Sequence, residues 1–373
     1  MRGHGEGSVY QRKDGRWVAS ITLENHKRKY YYGDTRKEAY EKLRKAQREL
    51  DQGLFVTGPQ QTVKQYLTHW LEDVHKPKIR STSYAMYVGI VQNHLIPALG
   101  HLRLQKLTAQ EVQRFYADKM KEGLSPGTIH NMHVVLHRAL KHAKRMKLVG
   151  SNVCDDVDLP RYRQPEIKAL TMEQAQNLLQ KVREHRLEAL LTLALATGMR
   201  RGEILALHWE DISFEERTLQ VRRSLAYDDR GYFEGEPKTA RSRRTIVLPH
   251  FVIDVLKKHQ ASQMDLKLEK GSKWVDRGLV FCGKDGDYLL PQTLHYQFTR
   301  FLEDAGLPSM RFHDLRHSAV TLLLAMGVDP KSIQELVGHQ SITTTLGVYG
   351  HLLLSMQMGI ADKLDNFFNQ EQS

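Results

Sequence analysis

At 373 residues with 40% apolar side chains, the chain is long enough for roughly two or three domains, each with its own core. Its 55 Lys and Arg against 43 Asp and Glu leave a formal charge of +12, which points to a polyanionic partner. Cys154 and Cys282 lie far apart without a CxxC partner, which argues for a reducing compartment and against a thiolate zinc site. The N-terminus lacks the apolar stretch of a signal peptide, and the longest apolar run, EALLTLALATG, is too short to span a bilayer, so the expectation is a soluble, cytoplasmic protein.

Residues 8–32 read as short strands. SVYQRKDGRWVASITL carries a KDG turn between two strand-like runs, and a third strand leads into Tyr30–Tyr32. A helix follows, TRKEAYEKLRKAQRELDQG, with Thr35 as cap, Glu38 three residues on and Gly53 as its end. Residues 1–60 hold 13 Lys/Arg and 8 Asp/Glu, a net of +5; a small basic sheet backed by a helix suits a DNA groove or a solvated surface equally. GPQQ at 58–61 reads as a linker.

Residues 62–148 read as four helices. The first has Val63, Tyr66, Leu67, Trp70 and Val74 on one face, and the second ends near Pro97 and Gly100. Thr108 with Glu111 caps the third; Ser125 caps the fourth, with Pro126 in its first turn. The fourth helix buries Ile129, Met132, Leu136, Leu140 and Ala143 and turns His133, His137, Arg138, Lys141, Lys144 and Arg145 the other way. His133 and His137 have metal-ligand spacing but no third ligand, so the expectation is a solvated or phosphate-facing stripe.

A second linker, 151–167, precedes a larger domain whose first helix starts at Thr171 with a TMEQ capping box. A helix is expected to run on through QNLLQKVREHRLEALLTLALATG to Gly198, followed by MRRGEILALHWEDI with Ile204, Leu205 and Leu207 buried. RTLQVRRSL and SRRTIVLP read as strands on either side of a turn-rich stretch, AYDDRGYFEGEPKTA, with Lys238 just before the second strand. FVIDVLKKHQASQMDLKLE and PQTLHYQFTRFLEDAGL read as helices, and RGLVFCGKDGDYLL between them as a short strand and turn.

The most informative stretch is 309–351. His313 and Arg316 are one helical turn apart and face the same way. His339 follows a short helix, VDPKSIQELVG, and Tyr349 lies ten residues beyond it. A planar guanidinium fork, imidazoles that titrate near neutrality and a phenol that can form a covalent intermediate suit a phosphate site better than a metal site. Upstream, Arg200 follows Gly198 at a helix end, and Glu203 can hold Arg200 by a charge-assisted hydrogen bond.

Taken together in this order, these motifs resemble the tyrosine recombinase (phage integrase) family, most closely across 197–212, 311–319 and 336–351. The resemblance implies an α+β multidomain fold. It would comprise a small N-terminal three-stranded sheet plus helix, a four-helix core-binding domain, and a mostly helical catalytic domain with a small antiparallel sheet. Residues 1–57 would be an arm-type DNA-binding domain, 62–148 the core-binding domain, 149–168 an interdomain linker, and 169–373 the catalytic domain with a C-terminal tail. Arg200, Lys238, His313, Arg316, His339 and Tyr349 match the family's catalytic set, with Tyr349 as nucleophile and Glu203 and His317 in support. Arg241, Arg243 and Arg244 lie close to Lys238 in sequence. The implied activity is a metal- and cofactor-independent transesterification that integrates or excises a mobile element through a 3′-phosphotyrosine link. Its partners would be double-stranded DNA with core-type and arm-type sites, three further copies of the chain in a tetramer, and DNA-bending accessory factors. Leu353, Ile360, Leu364, Phe367 and Phe368 would form an apolar face that docks on the chain's own domain or on a neighbouring protomer. A resolvase or chromosome-dimer recombinase, a non-catalytic DNA-binding regulator and a metal-dependent phosphoesterase are the alternatives.

Overall fold

A computed structural model describes residues 7–22, 28–51, 60–162, 168–228, 230–237 and 242–338. The chain forms two compact units, 1–164 and 165–373. In the first, β1 (Ser8–Gln11), β2 (Trp17–Thr22) and β3 (Arg28–Gly33) make an antiparallel sheet in that order. The KDG turn closes the first hairpin, with Gly15 at φ +83° and its N–H donating to the Arg12 carbonyl at 3.0 Å. Strand alternation puts Ala19 and Ile21 on one face, where they pack with Ala39, Leu43 and Ala46 of α1 (Arg36–Asp51). Thr35 caps this helix by accepting the Glu38 N–H at 3.2 Å, while the Glu38 carboxylate accepts the Asp34 N–H at 3.0 Å. Gly53 lies outside the described residues.

The helical part contains four runs: α2 (Val63–His69) with its continuation, α3 (Ser81–Ile90) continuing into α4 (Ile96–Leu99), α5 (Ala109–Lys121) and α6 (Pro126–Arg145). The capping box at Thr108 and Glu111 and the Ser125 cap form as the sequence predicts, and all five residues of the α6 stripe are buried. Two runs depart from simple helices. After α2 the turn Trp70–His75 widens to a π-helix, and between α3 and α4 the turn Val91–Leu95 does the same. Each wide turn ends just before a proline, Pro77 or Pro97. A proline has no N–H for the carbonyl four residues back and its ring clashes with that carbonyl. Widening the preceding turn instead pairs Lys76 N–H with Leu71 O and Ile96 N–H with Val91 O, five residues back.

The polar side of α6 is only partly the open stripe that the sequence suggests. Arg138, Lys141, Lys144 and Arg145 are exposed, but His133 is half-buried against the Tyr116 hydroxyl at 3.1 Å and His137 meets Asp155 at 2.8 Å. Cys154 and Cys282 are both free and buried.

In the second unit the expected long helix is two. α7 (Met172–Lys181), with its Thr171 capping box, ends at Val182, and α8 starts afresh at Glu188–Thr197. The break is polar capping without glycine: Glu184 takes φ +64°, its N–H donates to the Glu188 carboxylate at 2.8 Å, and the Leu187 N–H donates to His185 Nδ1 at 3.1 Å. α8 is apolar all round and runs through the core, with Ala189–Leu195 buried. α9 (Arg201–Leu205) follows.

The expected single sheet is two small ones. β4 (Ile212–Ser213), β5 (Thr218–Val221) and β8 (Arg244–Val247) pair antiparallel in that order. The stretch that reads as turn-rich folds instead as a hairpin, β6 (Ser224–Asp228) with β7 (Gly231–Gly235). Its polar and glycine-rich residues obscure the alternation, and cross-strand aromatic contact, Tyr227 against Tyr232 at 4.9 Å, supports the pairing. RGLVFCGKDGDYLL forms no strand, only single bridges from Leu279 to His208 and from Cys282 to Tyr288. α10 (His250–Lys270), α11 (Pro291–Asp304), α12 (Asp314–Ala325) and α13 (Pro330–Val337) complete the unit.

Candidate active site

The C-terminal end of α8 gathers the site. Gly198 ends the helix in the left-handed conformation, φ +59°, and a Cβ there would sit 2.8 Å from Val337 Cγ1 and 3.4 Å from Ala319 Cβ. The missing side chain is thus what lets α12 and α13 close onto the end of α8. Arg316, on α12 and 4% exposed, donates from Nη1 to the Gly198 carbonyl at 2.6 Å. This bond satisfies a carbonyl left open by the helix end and fixes the guanidinium.

Two residues on, Arg200 begins α9. Its backbone N–H donates to Glu203 Oε2 at 3.0 Å and its Nη1 to Glu203 Oε1 at 2.7 Å, so one carboxylate holds both ends of the arginine. Nη1 also reaches the Ser242 hydroxyl at 3.4 Å, and Nη2 donates to the Gly338 carbonyl at 3.0 Å. Gly338 ends α13 in the left-handed conformation, so Arg200 grips the chain at the residue before His339.

Glu203 has a second cation. Arg244 donates from Nη2 to Glu203 Oε2 at 3.2 Å, from Nε to the Leu336 carbonyl at 2.6 Å and from Nη1 to the Ser242 carbonyl at 3.1 Å. Burial alone would raise the Glu203 pKa, but Arg244 and Arg200 outweigh it and hold the carboxyl below its ordinary range. Burial, opposed by Glu203, also lowers Arg244, which stays charged.

His313 caps the start of α12 and is exposed on the surface of the unit. Its imidazole is nevertheless held down to about 4, first by loss of water where protein packs around it and then by the positive charge of Arg316 and by His317. Solvent on its open side moderates that shift. His317 stands edge-on to it, ring centres 5.9 Å apart, and burial lowers its pKa as well. Asp314 steadies this corner: it accepts the Arg311 N–H at 2.9 Å and the guanidinium at 2.8 and 3.2 Å, and against the cost of burial these contacts keep it below the usual carboxylate range.

Five residues singled out in the sequence therefore lie on two segments that meet at the end of α8: Arg200 and Glu203 on α9, and His313, Arg316 and His317 at α12. Lys238, His339 and Tyr349, with the C-terminal tail, lie outside the described residues. In the sequence Arg244 reads only as one of several basic neighbours of Lys238. A signal was present: Ile246 and Leu248 are buried core residues, and alternation along β8 puts Arg244 on their inward side, an unusual place for an arginine. Among the described residues no group of three or more His, Cys, Asp or Glu is placed to hold a metal ion. The site instead offers guanidinium groups fixed by buried carboxylates and carbonyls, the chemistry of a phosphodiester anion.

Comparison with known proteins agrees. The phage integrase family matches residues 168–355, and the phage integrase N-terminal SAM-like domain matches residues 62–120. The chain belongs to the phage integrase family, the tyrosine recombinases, enzymes that break and rejoin DNA strands. A protein named "Tyrosine recombinase XerC-like" from Caldanaerobacter subterraneus subsp. tengcongensis is 30% identical over 382 residues, covering 95% of this chain and 98% of that protein. An integrase of Streptomyces ambofaciens is 32% identical over 368 residues, covering 93% and 92%. In fold, the chain is similar to the Tn1549 transposon integrase solved with a circular intermediate DNA, with a TM-score of 0.67 at 24% identity over 82% of this chain and 99% of that one. No helix of the described residues is long and apolar enough to cross a membrane.

Proposed function

We propose that this chain integrates and excises a mobile element in the cytoplasm by cutting and rejoining DNA through a 3′-phosphotyrosine link. Residues 1–57 bind arm-type sites, 62–148 bind the core site, 149–168 link the core-binding domain to 169–373, and 169–373 carry the chemistry, with four copies acting together on DNA. The observation that carries this reading is the fixing of Arg200 and Arg316 at one helix end, Arg316 on the Gly198 carbonyl and Arg200 on Glu203 and Gly338. Two guanidiniums held there neutralise the nonbridging oxygens as charge builds on the phosphorus. Arg244 and Arg200 together keep Glu203 ionised.

Tyr349 Oη attacks the phosphorus, a P–O bond forms to the phenol, and the bond to the 5′ oxygen breaks. A phenol loses its proton at about 10, so it needs a base. His313, held well below its ordinary value, is neutral at physiological pH and has a lone pair for that proton. His339 donates to the phosphate, and Lys238 gives its ammonium proton to the departing 5′ oxygen. A 5′-hydroxyl from the partner strand then attacks the phosphotyrosine, the proton flow reverses, and no external energy source is consumed.

The test is a suicide substrate that loses its 5′-hydroxyl fragment after cleavage. The parent chain accumulates a covalent DNA adduct in excess chelator, and Tyr349→Phe binds DNA with similar affinity but forms none. Adduct from the variant refutes the nucleophile. No adduct from the parent favours a DNA-binding regulator, and loss of adduct in chelator favours a metal-dependent phosphoesterase.

A further inference from the structure

Residues 151–167 read in sequence as a polar linker, but 152–162 are folded back along α5 and α6. Val153–Asp156 form a short 3₁₀ turn, in which Asn152 Oδ1 accepts the Cys154 N–H at 3.2 Å. Asn152 is buried and donates from Nδ2 to the His137 carbonyl at 3.3 Å, and Cys154 lies buried in the core of the helical part. Asp155 meets His137 at 2.8 Å, and Val153, Val157 and Leu159 pack partly buried against the same core. The inner residues of the stretch are thus a fixed part of the first unit.

The outer residues, 158–162, are held differently. Gln113 of α5 pairs with the backbone of Asp158: its Nε2 donates to the carbonyl at 3.1 Å and its Oε1 accepts the N–H at 2.8 Å. His130 of α6 donates from Nε2 to the Pro160 carbonyl at 3.0 Å. The Tyr162 ring lies 5.8 Å from the His130 ring and covers Gly127, where a Cβ would come within 3.0 Å of it. Gln113, Asp158 and Tyr162 are exposed and His130 is half-buried, so these contacts form where water competes. Three hydrogen bonds and the partly buried Leu159 oppose the cost of ordering five residues, a cost that Pro160 lowers through its fixed φ. Two side chains, Gln113 and His130, therefore decide whether 158–162 stay down.

We infer that Gln113 and His130, by holding 158–162 on the first unit, set how far the DNA element bound by 62–148 can lie from the scissile phosphate. The inference rests on the proposed roles of 62–148 in core-site binding and of 169–373 in the chemistry. With 158–162 held, five residues, 163–167, separate Tyr162 from Lys168, and they span at most about 20 Å. With 158–162 released, the separating stretch doubles to ten residues, 158–167, and spans at most about 38 Å. A short tether keeps the catalytic unit concentrated at one spacing and denies it sites beyond its reach. Doubling the tether lowers that concentration about threefold, by the three-halves power of length, and admits wider spacings. Holding 158–162 thus makes the enzyme reject sites whose two DNA elements are set too far apart.

Two measurements on the full chain test this. Hydrogen exchange follows the Asp158 N–H, which should be protected in the parent and exchange about tenfold faster or more in the double variant Gln113→Ala, His130→Ala. Single-turnover adduct formation is then measured on the core site and on versions with one, two or three base pairs inserted between the core-binding element and the scissile phosphate. The parent, the double variant and a chain with five Gly/Ser residues inserted between Gln164 and Pro165 are compared, with melting temperature and DNA affinity recorded for each. The parent should lose about tenfold or more on the widest site, while the double variant and the lengthened chain stay within about threefold of it on the unaltered site and exceed it by about tenfold on the widest. A double variant that follows the parent while the lengthened chain gains reach overturns the inference, as does an Asp158 N–H that is unprotected in the parent. Equal slowing of the double variant on every site marks Gln113 and His130 as merely structural or DNA-contacting and overturns it too. So does a parent indifferent to spacing, or a lengthened chain that gains no reach. A parent that forms no adduct on the unaltered site overturns the proposed roles of 62–148 and 169–373, and the inference with them.

Discussion

Glu203 is the counter-charge for two arginines, and Glu203→Gln removes that charge while keeping shape and one oxygen. The carboxylate meets Arg200 at 2.7 Å and Arg244 at 3.2 Å, and the Glu203 and Arg244 side chains are only 2% and 8% exposed. Water cannot take over. Removing one partner of a buried ion pair costs about 3–5 kcal/mol, because the other charge stays buried and unpaired. The amide oxygen of Gln retains one hydrogen bond, worth about 1 kcal/mol, so a net loss of about 3 kcal/mol is expected. In a unit of this size each kcal/mol moves the melting temperature by about 2–4 °C, which gives a drop of about 6–12 °C. Calorimetry on the whole chain, following the transition of residues 165–373, measures it. Adding Arg244→Met takes away the charge left without a partner, so the double variant should lose less than the sum of the two single losses, by about 1 kcal/mol or more. A melting temperature within about 2 °C of the parent for Glu203→Gln, or strictly additive losses in the double variant, would refute the bridging role.

Gly198→Ala places a methyl group 2.8 Å from Val337 Cγ1 at a left-handed φ of +59° and should destabilise the second unit by about 1–2 kcal/mol or more, read as a lower urea midpoint; an unchanged midpoint contradicts the close approach of α13. His313 is held down to about 4, so folding suppresses its protonation, and the unfolded chain takes up the proton first as pH falls. Its contribution to stability is thus present above about 6.5 and is lost as pH falls from there toward 4. The acid limb of kcat/KM should likewise have its midpoint below 6.5, and an NMR midpoint at or above that value for the His313 ring in the free chain refutes this account. With a net charge of +12, DNA affinity should fall by about tenfold or more between about 50 and about 200 mM salt, and a flat response in a filter-binding series would count against phosphate contacts as its basis.

Local rules carry a good part of the fold. Thr108 with Glu111, Thr171 with Gln174 and Ser125 ahead of Pro126 cap helices as their spacing indicates, and the apolar stripe from Ile129 to Ala143 is the buried face of α6. What escapes is decided by partners distant in sequence or by side chains acting in place of glycine. The break between α7 and α8 depends on Glu188 capping Glu184, where neither glycine nor proline announces an end. The hairpin β6–β7 is hidden because no face of it alternates cleanly between apolar and polar. At the site, His313, Arg316, Arg200 and Glu203 are recognisable by type and spacing, but their meeting point is set by Gly198, which reads in sequence only as a helix end. Arg244 is hidden among basic neighbours until β8 pairs with β5 and turns it inward.

The wide turn at Trp70–His75 has a consequence for counting along the chain. Trp70 and His75 stack with ring centres 4.5 Å apart although they are five positions apart, a separation that points different ways on an ordinary helix. A surplus residue is thereby stored in the coil without disturbing the phase of what precedes it. Deleting one position from 70–75 would tighten the loop to the usual pitch and unseat the His75 ring from Trp70, whereas Val63, Tyr66 and Leu67 would keep their inward aim.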